Sequence, residues 1–542
     1  MIMRTFFTLI SSLAFIVILS SCSTLPHGVH PTTVPIQITT STVELPNAAN
    51  PDLKLQGTRI DFPYEISTYL VDKNKMQICL IAKETPKKAN APVLLLLYDL
   101  KEKKLLWSKK TYAWTMAFTD QRVVFYGFKS SFKTFGLDRE NGNVVWQMDQ
   151  SFYHPIKLKD NHIAFSGMIT AFDMNTGLDL WSKKITNEYG WIDRKVIDEE
   201  MIASVDGLHR FNLKTGEGWS LVMTTGKTDH AKAVGANIAS GILGGGYIPP
   251  EKITGLSSNI LKQDDRVYFS ATDDLHCIDY TSGKEIWHTE LKEKKTGNVC
   301  LFLNKDKLIL VNKGSSYRNG LYQKYGHPYI AMFDMTTGQE LMWRAVDVEV
   351  PVKDVSYTKE DGFYLLTEDN ILFYDYQGEL KCKSGRVDKK TTNGIVNKAF
   401  NRARPFYIPL TTDQNVYQSL YSLKKDSNAV TLITNNGVSF INEQCNSEQD
   451  FSNSEMQEVF AITDDFLFMN PPDELISDPI NPGRYTLTLL SRERNLLGSF
   501  SLPKFSRDRC EVLGGASEQP VLFYFNDNKS IVLCPLSPMN KK

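Results

Sequence analysis

Histidine, serine and carboxylate side chains most often carry catalysis, and in this chain they form no recognisable catalytic pattern. The nine histidines of the 542 residues are scattered. Neither a His-Glu-x-x-His zinc helix nor a Gly-x-Ser-x-Gly nucleophile elbow occurs. Paired acids such as Glu199 and Glu200 are typical of exposed turns. The local motifs therefore predict no catalytic residue and no metal ligand, although a site assembled from distant strands needs no motif.

Cysteines could support redox or covalent chemistry, and the chain has eight of them. No Cys-x-x-Cys pair occurs, which argues against thiol redox and zinc-ribbon sites. Seven cysteines are widely spaced and often lie among β-prone residues, as small buried apolar side chains do. These are Cys79, Cys277, Cys300, Cys382, Cys445, Cys510 and Cys534. An exported location would permit a disulfide, and proximity in sequence suggests Cys277 with Cys300 or Cys510 with Cys534.

The remaining cysteine, Cys22, ends the most specific local pattern of the chain. Residues 1–21 contain one Arg and an apolar run from Phe6 to Leu19, which is typical of a signal peptide and short for a membrane-spanning helix. The run ends in LSSC, which resembles the lipobox of bacterial lipoproteins. By that resemblance Cys22 becomes the first mature residue and carries acyl chains such as palmitate, and several chains anchor a protein firmly. Ser23 in place of Asp after this cysteine favours the outer membrane, by the custom of such lipoproteins.

Residues 22–55 are poor in charge and rich in Thr, Ser and Pro. This composition predicts a flexible tether that holds the folded part away from the membrane, with a reach on the order of 30 Å. Residues 56–542 then consist of short β-prone runs separated by turn residues, with little helical periodicity. We therefore expect three regions, namely the signal peptide 1–21, the tether 22–55 and a β domain 56–542.

A recurring turn sequence organises the β domain. In ITAFDMNTGLDLW, residues 169–181, a β-prone segment leads through Asp173 and Gly177 to Trp181, eight positions after the Asp. The same spacing joins Asp99 to Trp107, Asp138 to Trp146 and Asp279 to Trp287. The spacing is one residue shorter from Asn212 to Trp219 and one longer from Asp334 to Trp343, while Asp375 and Gly378 have no Trp after them. Successive acidic or Asn positions lie 35 to 67 residues apart, so the unit is about one four-stranded blade.

Each position of the repeat has a physical role. The Asp carboxylate can accept hydrogen bonds from backbone N–H groups two or three residues ahead. Glycines such as Gly177, Gly283 and Gly338 supply the positive φ that a hairpin loop with a bulge requires. The Trp would fill the space between neighbouring sheets and offer its indole N–H to a partner. Six of the eight tryptophans occupy this place, so we interpret them as packing residues rather than as a platform for a substrate.

Many strands at regular spacing without interleaved helices predict an all-β fold, a β-propeller of four-stranded blades. After Tyr376 the Trp is missing, yet strand, polar turn and strand still alternate to the end of the chain. About 480 residues at about 40 to 45 residues per blade would allow more than ten blades. Because insertions lower that number, we expect eight blades, with seven as the alternative.

Two insertions are candidates for partner binding. Between Asn212 and Asp279, the 231–250 segment is Gly-rich and nearly uncharged, and its triple Gly lacks the context of a phosphate-binding loop. We expect a loop on one face of the propeller, used as a partner contact or a lid. The segment Gly314–Tyr329 concentrates Tyr and Arg, which are common in interface hot spots. Charge is balanced, with 61 basic and 62 acidic residues, and gives no support for a nucleic-acid partner.

The units AFDMNTGLDLW, CIDYTSGKEIW and MFDMTTGQELMW resemble the repeats of the pyrroloquinoline-quinone (PQQ) type β-propellers. The enzymes of that family hold the quinone with a calcium ion and stack two adjacent cysteines on it. This chain has no adjacent cysteines, and no calcium-binding set can be placed on it. We therefore expect neither PQQ nor calcium, and no enzymatic activity. The resemblance instead implies the non-catalytic branch, which includes the propeller lipoprotein of the outer-membrane β-barrel assembly machine.

The expected function is that of a lipid-anchored scaffold in the bacterial cell envelope. Its propeller loops would bind other envelope proteins, including components of outer-membrane protein assembly, and Cys22 would bind the membrane. Two alternatives remain open at the level of sequence. One is a PQQ-dependent oxidoreductase, and the other is a surface lipoprotein that binds a glycan or a peptide.

Overall fold

The structure is a computed structural model that describes residues 30–46, 54–84, 91–128, 132–167, 169–229, 250–357, 362–367, 370–383 and 521–536, and the strands formed between residues 422 and 513. Every regular element formed by these residues is a β-strand. Among them no helix is long and apolar enough to cross a membrane. The signal peptide and Cys22 lie outside the described residues.

Three strands precede the first blade-like sheet, and the next sixteen form sheets 1 to 4. The N-terminal strands are β1 (Thr32–Thr33), β2 (Thr39–Pro46) and β3 (Lys54–Asp61). Sheet 1 contains β4 (Glu65–Asp72), β5 (Gln77–Lys83), β6 (Val93–Asp99) and β7 (Lys104–Thr111). Sheet 2 contains β8 (Thr115–Phe118), β9 (Arg122–Phe128), β10 (Phe132–Asp138) and β11 (Val144–Met148). Sheet 3 contains β12 (Phe152–Lys157), β13 (His162–Ser166), β14 (Thr170–Asp173) and β15 (Asp179–Ser182), and sheet 4 contains β16 (Trp191–Ile197), β17 (Glu200–Val205), β18 (Gly207–Asn212) and β19 (Gly218–Val222).

The middle of the chain forms sheets 5 to 7 and one additional sheet. The additional sheet, here called the insertion sheet, contains β20 (Lys227–Asp229), β21 (Glu251–Thr254), β28 (Ser315–Arg318) and β29 (Leu321–Lys324). Sheet 5 contains β22 (Leu261–Gln263), β23 (Arg266–Ala271), β24 (Asp274–Asp279) and β25 (Glu285–Glu290). Sheet 6 contains β26 (Val299–Asn304), β27 (Lys307–Asn312), β30 (Tyr329–Asp334) and β31 (Glu340–Ala345). Sheet 7 contains β32 (Asp354–Tyr357), β33 (Phe363–Leu366), β34 (Ile371–Tyr374) and β35 (Leu380–Lys383).

The C-terminal part forms sheets 8 to 10. Sheet 8 contains β36 (Ser422–Asp426), β37 (Ala429–Thr434), β38 (Gly437–Ile441) and β39 (Ser447–Asp450). Sheet 9 contains β40 (Glu458–Ile462), β41 (Phe466–Asn470), β42 (Arg484–Ser491) and β43 (Leu496–Pro503). Sheet 10 joins β44 (Cys510–Leu513), β45 (Val521–Phe525) and β46 (Ser530–Pro535) to β3 and β2.

The central strands of sheets such as 1, 6 and 7 are buried on both faces because each of these sheets packs between two others. In β6 the sequence VLLLLYD is buried from Val93 to Tyr98, without the alternation of a half-exposed strand. Separate hydrophobic clusters join sheets 1 and 2, 2 and 3, 3 and 4, 4 and 5, 5 and 6, and 6 and 7. Further clusters join sheets 9 and 10 and sheets 10 and 1, while β32 contacts β36 and β38 contacts β40. The sheets therefore follow one another in a closed ring, which is the architecture of a β-propeller.

The ring is closed by a strand from the beginning of the chain. Strand β3 pairs with β46 through Thr58 with Leu533 and Ile60 with Ile531. Its Ile60 side chain is fully buried between sheets 10 and 1. Strand β2 pairs along β3, and β1 adds to the free edge of β7. The structure thus differs from the expected tether of residues 22–55, because residues 30–46 and the start of β3 belong to the folded domain.

The first strand of each sheet lies at the inner edge of the ring. First strands of neighbouring sheets approach one another, as β4 and β8 and β32 and β36 do. The fourth strands are the more exposed ones, for example β15 and β25. This is the arrangement expected when blades radiate from a centre.

The expected eight blades, or seven, are not confirmed. Among the described residues, ten sheets of blade type and the insertion sheet are formed. Sheets 8 and 9 come from a part of the chain that lacks the Asp-to-Trp repeat. In the described residues the two insertions contribute four short strands, which form a sheet of their own rather than part of a blade.

Both disulfides suggested by sequence proximity are wrong. Cys277, Cys300 and Cys534 are free thiols. Cys277 packs between sheets 5 and 6, whereas Cys300 packs on the other side of sheet 6, against sheet 7. A sheet therefore separates the two sulfur atoms. Cys382, in β35, is disulfide-bonded.

Candidate functional site

The repeat turns use the Asp side chain as a backbone acceptor. Oδ1 of Asp173 accepts the N–H groups of Asn175 at 2.7 Å and Thr176 at 3.0 Å. Asp99, Asp138, Asn212, Asp279 and Asp334 make corresponding contacts to N–H groups two or three residues ahead. The pKa of Asp279 is held below its usual range by the hydrogen bond from the Ser282 hydroxyl and then by the Ser282 N–H, and that of Asp334 by the N–H and the hydroxyl of Thr337, because these bonds favour the charged carboxylate.

Glycine in the turn makes room for the Trp of the preceding repeat. Gly177 has a φ of 73°, and a Cβ added there would lie 2.5 Å from the ring of Trp146. Any larger residue would therefore meet both backbone strain and a clash. Trp107, Trp181, Trp219 and Trp287 lie in the same way against Gly142, Gly216, Gly283 and Gly338. Each of these tryptophans thus docks onto the following sheet, not onto its own turn.

The indole N–H donates to a carbonyl of that following sheet. Trp181 Nε1 donates to the carbonyl of Leu213 at 2.8 Å, one residue after Asn212. The equivalent bonds are Trp107 to Arg139 at 3.0 Å, Trp146 to Met174 at 3.2 Å and Trp219 to Tyr280 at 2.8 Å. Trp287 has no such acceptor, because the Met335 carbonyl already accepts from Arg266 at 3.2 Å and Tyr268 at 3.1 Å.

A β-bulge explains which Trp residues dock onto the next sheet. A Trp seven positions after the repeat Asn docks, whereas a Trp nine positions after the repeat Asp does not. In sheet 3, a bulge between Ala171 and Phe172 places Trp181 opposite Ala171. The β18–β19 pair has no bulge, so Trp219 reaches the same place with one residue fewer. In sheet 6 the bulge is present, and Met342 takes the place instead.

Trp343 therefore departs from the sequence interpretation. The Cε atom of Met342 lies 2.3 Å from a Cβ added at Gly378, in the contact that the other repeats give to Trp. A shift of one residue along a strand turns a side chain to the opposite face. Trp343 accordingly packs toward sheet 5, beside Tyr329 at a centroid distance of 5.8 Å.

These contacts predict different costs for two substitutions of the same kind. Trp181→Phe removes an indole N–H and leaves the Leu213 carbonyl without its donor, so it should destabilise the protein by about 1 kcal/mol more than Trp287→Phe. Trp287→Phe removes an N–H that has no acceptor. Urea unfolding of both variants measures the difference, and equal losses would contradict the assigned hydrogen bond.

The insertion sheet is the second candidate feature and is formed by both insertions named in the sequence. Strands β20 and β21 come from the connection between sheets 4 and 5, and β28 and β29 from the connection between β27 and β30. Strand β21 pairs with β28 through Ile253 with Arg318 and Thr254 with Tyr317. Residues 231–249 of the first insertion lie outside the described residues.

The insertion sheet projects from one end of the ring. In an antiparallel meander, the connection between the second and third strands lies at the end opposite the turn between the third and fourth strands. The insertions lie at the end of the connection between the second and third strands, which is here called the insertion end. The turns with the repeat Asp and Gly join the third and fourth strands at the other end. The repeat turns and the inserted strands therefore occupy opposite ends of the ring.

One face of the insertion sheet is fixed to the ring. The Lys252 ammonium donates to the carbonyl of Glu188 at 3.1 Å, and the Thr228 hydroxyl donates to the Glu188 carboxylate at 2.9 Å. Asn298 donates to the Ser315 hydroxyl at 3.1 Å, and the Lys353 ammonium lies 4.1 Å from the centre of the Tyr322 ring. These contacts position the sheet relative to sheets 4, 6 and 7.

The other face carries a polar network and one exposed apolar side chain. Arg318 pairs with Glu251 at 2.7 Å and donates to Gln323 at 3.0 Å. Gln323 in turn donates to the hydroxyl of Ser316 at 3.1 Å. Leu321, the Cα partner of Arg318, is 47% exposed. A half-exposed Arg and an exposed Leu on a fixed sheet form a surface suited to protein contacts.

No group of three or more His, Cys, Asp or Glu side chains in the described part of the chain is arranged to hold a metal ion. The two insertions are recognisable separately in the sequence, but nothing in the sequence indicates that they pair with each other.

Residues 166–380 match the family model described as outer membrane protein assembly factor BamB. This segment carries the PQQ-like propeller repeat. It contains the PQQ-like turns from Asp173 to Gly378 and both insertions, and it is shorter than half of the 542-residue chain. No curated protein sequence matches the chain.

The solved structures that match this chain share little sequence with it. BamB from Moraxella catarrhalis is 14% identical, with a TM-score of 0.32, over 75% of this chain and 97% of that one. The computationally designed Ika8 protein is 13% identical, with a TM-score of 0.30, over 69% and 94%. A eukaryotic initiation factor is 9% identical, with a TM-score of 0.37, over 86% and 99%. Likeness at this level indicates nothing about function.

Proposed function

We propose that this protein is a non-catalytic propeller scaffold of the bacterial cell envelope that binds other proteins, including components of outer-membrane protein assembly. The match of residues 166–380 to the family of an outer-membrane assembly factor supports this role. The observation that carries the proposal is the insertion sheet, because two separate insertions build a fixed surface at one end of a ring. A PQQ-like repeat by itself would need neither insertion.

The membrane link in this proposal is Cys22. Lipidation there would hold the ring near a membrane, with the short segment before β1 as the connection. The disulfide of Cys382 fits an exported protein, because disulfides persist in oxidising compartments such as the periplasm. Labelling of cells with a palmitate analogue tests this link: incorporation should be lost in Cys22→Ser, and retained label would contradict it.

A photoreactive amino acid at Leu321 tests the binding surface. The side chain is exposed on the insertion sheet, so crosslinking in living cells should join it to an outer-membrane assembly component or a β-barrel precursor. Leu178 is the matched control, since it is apolar and 67% exposed but lies in a repeat turn at the opposite end. The proposed surface would be contradicted if neither position formed a crosslink, or if both positions formed crosslinks to the same partner in equal yield.

Substitution tests the same surface without a crosslinker. Leu321→Asp places a charge at the proposed contact and should reduce recovery of that partner about tenfold. A tenfold loss of affinity corresponds to about 1.4 kcal/mol of binding free energy. Leu178→Asp should leave recovery unchanged. Because both side chains are exposed, neither variant is expected to unfold the ring.

A further inference from the structure

The inner edges of sheets 3 and 4 contain two irregular strands that face each other. Strand β12 has an irregular register between Tyr153 and Ile156, and β16 has one between Trp191 and Asp193. His154 lies between Tyr153 and Ile156, and its φ of 49° is unusual for a residue other than glycine. Strained backbone of this kind persists where the surrounding structure holds it, and it is concentrated at functional sites.

His154 is a buried side chain with an unused nitrogen. It is 9% exposed, and its Nε2 atom has no hydrogen-bond partner. Its ring lies edge-on to Trp191 at 4.6 Å and to Tyr153 at 5.3 Å. Burial, together with the nearby charge of Arg194, lowers the pKa of His154 to about 3. The imidazole is therefore neutral at pH 7 and can donate one hydrogen bond from Nε2.

Arg194 has a second unused donor on the face of sheet 4 that packs against sheet 3, and its charge acts on His154. Its Cα partner is Ala203, a residue of the cluster between sheets 3 and 4, so the Arg194 side chain lies on the face toward sheet 3. Its Nη1 atom is buried and has no hydrogen-bond partner. The neighbouring carboxylate of Asp193 accepts the N–H of Ile260 at 2.7 Å, on the side of sheet 5. Asp193 also accepts the backbone N–H of Arg194 at 2.8 Å. Its oxygens thus bond backbone groups, and it acts on the guanidinium through its charge and not through a hydrogen bond.

We propose that Arg194 and His154 form a binding site for a carboxylate group at the inner edge of the ring, between sheets 3 and 4. A guanidinium binds a carboxylate through paired N–H groups, and the neutral imidazole adds a donor without a second charge. One bound carboxylate would satisfy both unused donors. The edges of Trp191 and Tyr153 supply apolar walls beside it.

The site has a defined position on the molecule. His154 and Trp191 lie near the beginning of first strands, and first strands begin at the insertion end. A carboxylate could come from a small organic acid or from the free C-terminus of a peptide. The proposal does not depend on the protein-scaffold function, since either source can bind whether or not the insertion sheet has a partner.

Titration of the purified full chain, labelled with ¹³C in its histidine rings, tests the site. Acetate, a blocked tripeptide with a free C-terminal carboxylate and inorganic phosphate serve as probes, and the His154 resonance and binding calorimetry serve as readouts. We expect acetate or the tripeptide to shift the His154 resonance. Binding of the tripeptide alone would identify a peptide terminus as the ligand, and equal binding of both would identify the carboxylate itself.

Variants decide whether Arg194 carries the binding. Arg194→Met should weaken carboxylate binding about tenfold or more, because the charged pair is lost. Arg194→Lys retains the charge and should bind with intermediate affinity, which separates lost binding from lost folding. Lys195→Met is the matched control, since Lys195 is an exposed cation on the same strand, and it should bind like the unmodified protein. No shift with any probe, binding of phosphate only, or equal affinity of Arg194→Met and Lys195→Met would overturn the proposal.

Discussion

Trp146→Ala should lower the free energy of unfolding by about 3 to 5 kcal/mol, the range for truncation of a buried aromatic residue. Trp146 is 9% exposed, its ring lies against Gly177, and its N–H donates to the Met174 carbonyl. It also packs edge-on against Phe172 at 5.9 Å. The substitution opens a cavity between sheets 2 and 3 and leaves a carbonyl without its donor, so two separate costs add.

Urea unfolding followed by circular dichroism measures this loss, and hydrogen exchange in β13 and β14 shows where it acts. Trp114→Ala is the control, because Trp114 is 41% exposed and lies outside the repeat. Its cost should be within about 1 kcal/mol of zero, as for most surface substitutions. Similar losses in the two variants would mean that the repeat tryptophans do not dock the sheets.

Removal of residues 23–62 should open the ring. This deletion takes away β3, the hydrogen-bonding partner of β46, and the buried side chains of Leu45, Leu55, Ile60 and Phe62. Burial of each such side chain contributes about 1.5 to 3 kcal/mol, so a loss above about 5 kcal/mol is expected. The exposed edge of β46 should also promote association, since unpaired strand edges pair with other chains.

Limited proteolysis, hydrogen exchange in β45 and β46, and size-exclusion chromatography measure this effect. A deletion of residues 23–29, which lie before β1, is the control and should retain the stability of the full domain. If the longer deletion melts at the same temperature as the shorter one, β3 does not close the ring.

The sequence predicted the features that local spacing determines. Asp, Gly and Trp recur at intervals of one blade, and each position has a requirement that the turn itself imposes, as at Asp173 and Gly177. The assignment failed at Trp343 because sheet 6 has the same bulge as the repeats with a spacing of eight, so Met342, eight positions after Asp334, faces the next sheet and Trp343 faces the opposite way. A Trp nine positions after the repeat Asp therefore does not replace a Trp eight positions after it.

Contacts between distant segments could not be predicted from spacing. The composition of residues 22–55 is that of a tether, yet β-branched residues in TTSTVELP form β2 once β3 offers an edge. Strands β21 and β28 are 64 positions apart at their starts and pair only in the folded chain. Arg194 and His154 belong to no motif, and their unused donors become visible only when sheets 3 and 4 pack together.

Closure of the ring is the claim on which the account depends, and the single substitution Gly57→Cys tests it most directly. A Cβ added at Gly57 would lie 2.5 Å from the Sγ atom of Cys534, which is a free thiol. After mild oxidation, peptide mass spectrometry should find a disulfide between residues 57 and 534 within one chain, and none in the double variant with Cys534→Ser. Absence of this disulfide, or its formation only between two chains, would contradict a ring closed by its N-terminal strand.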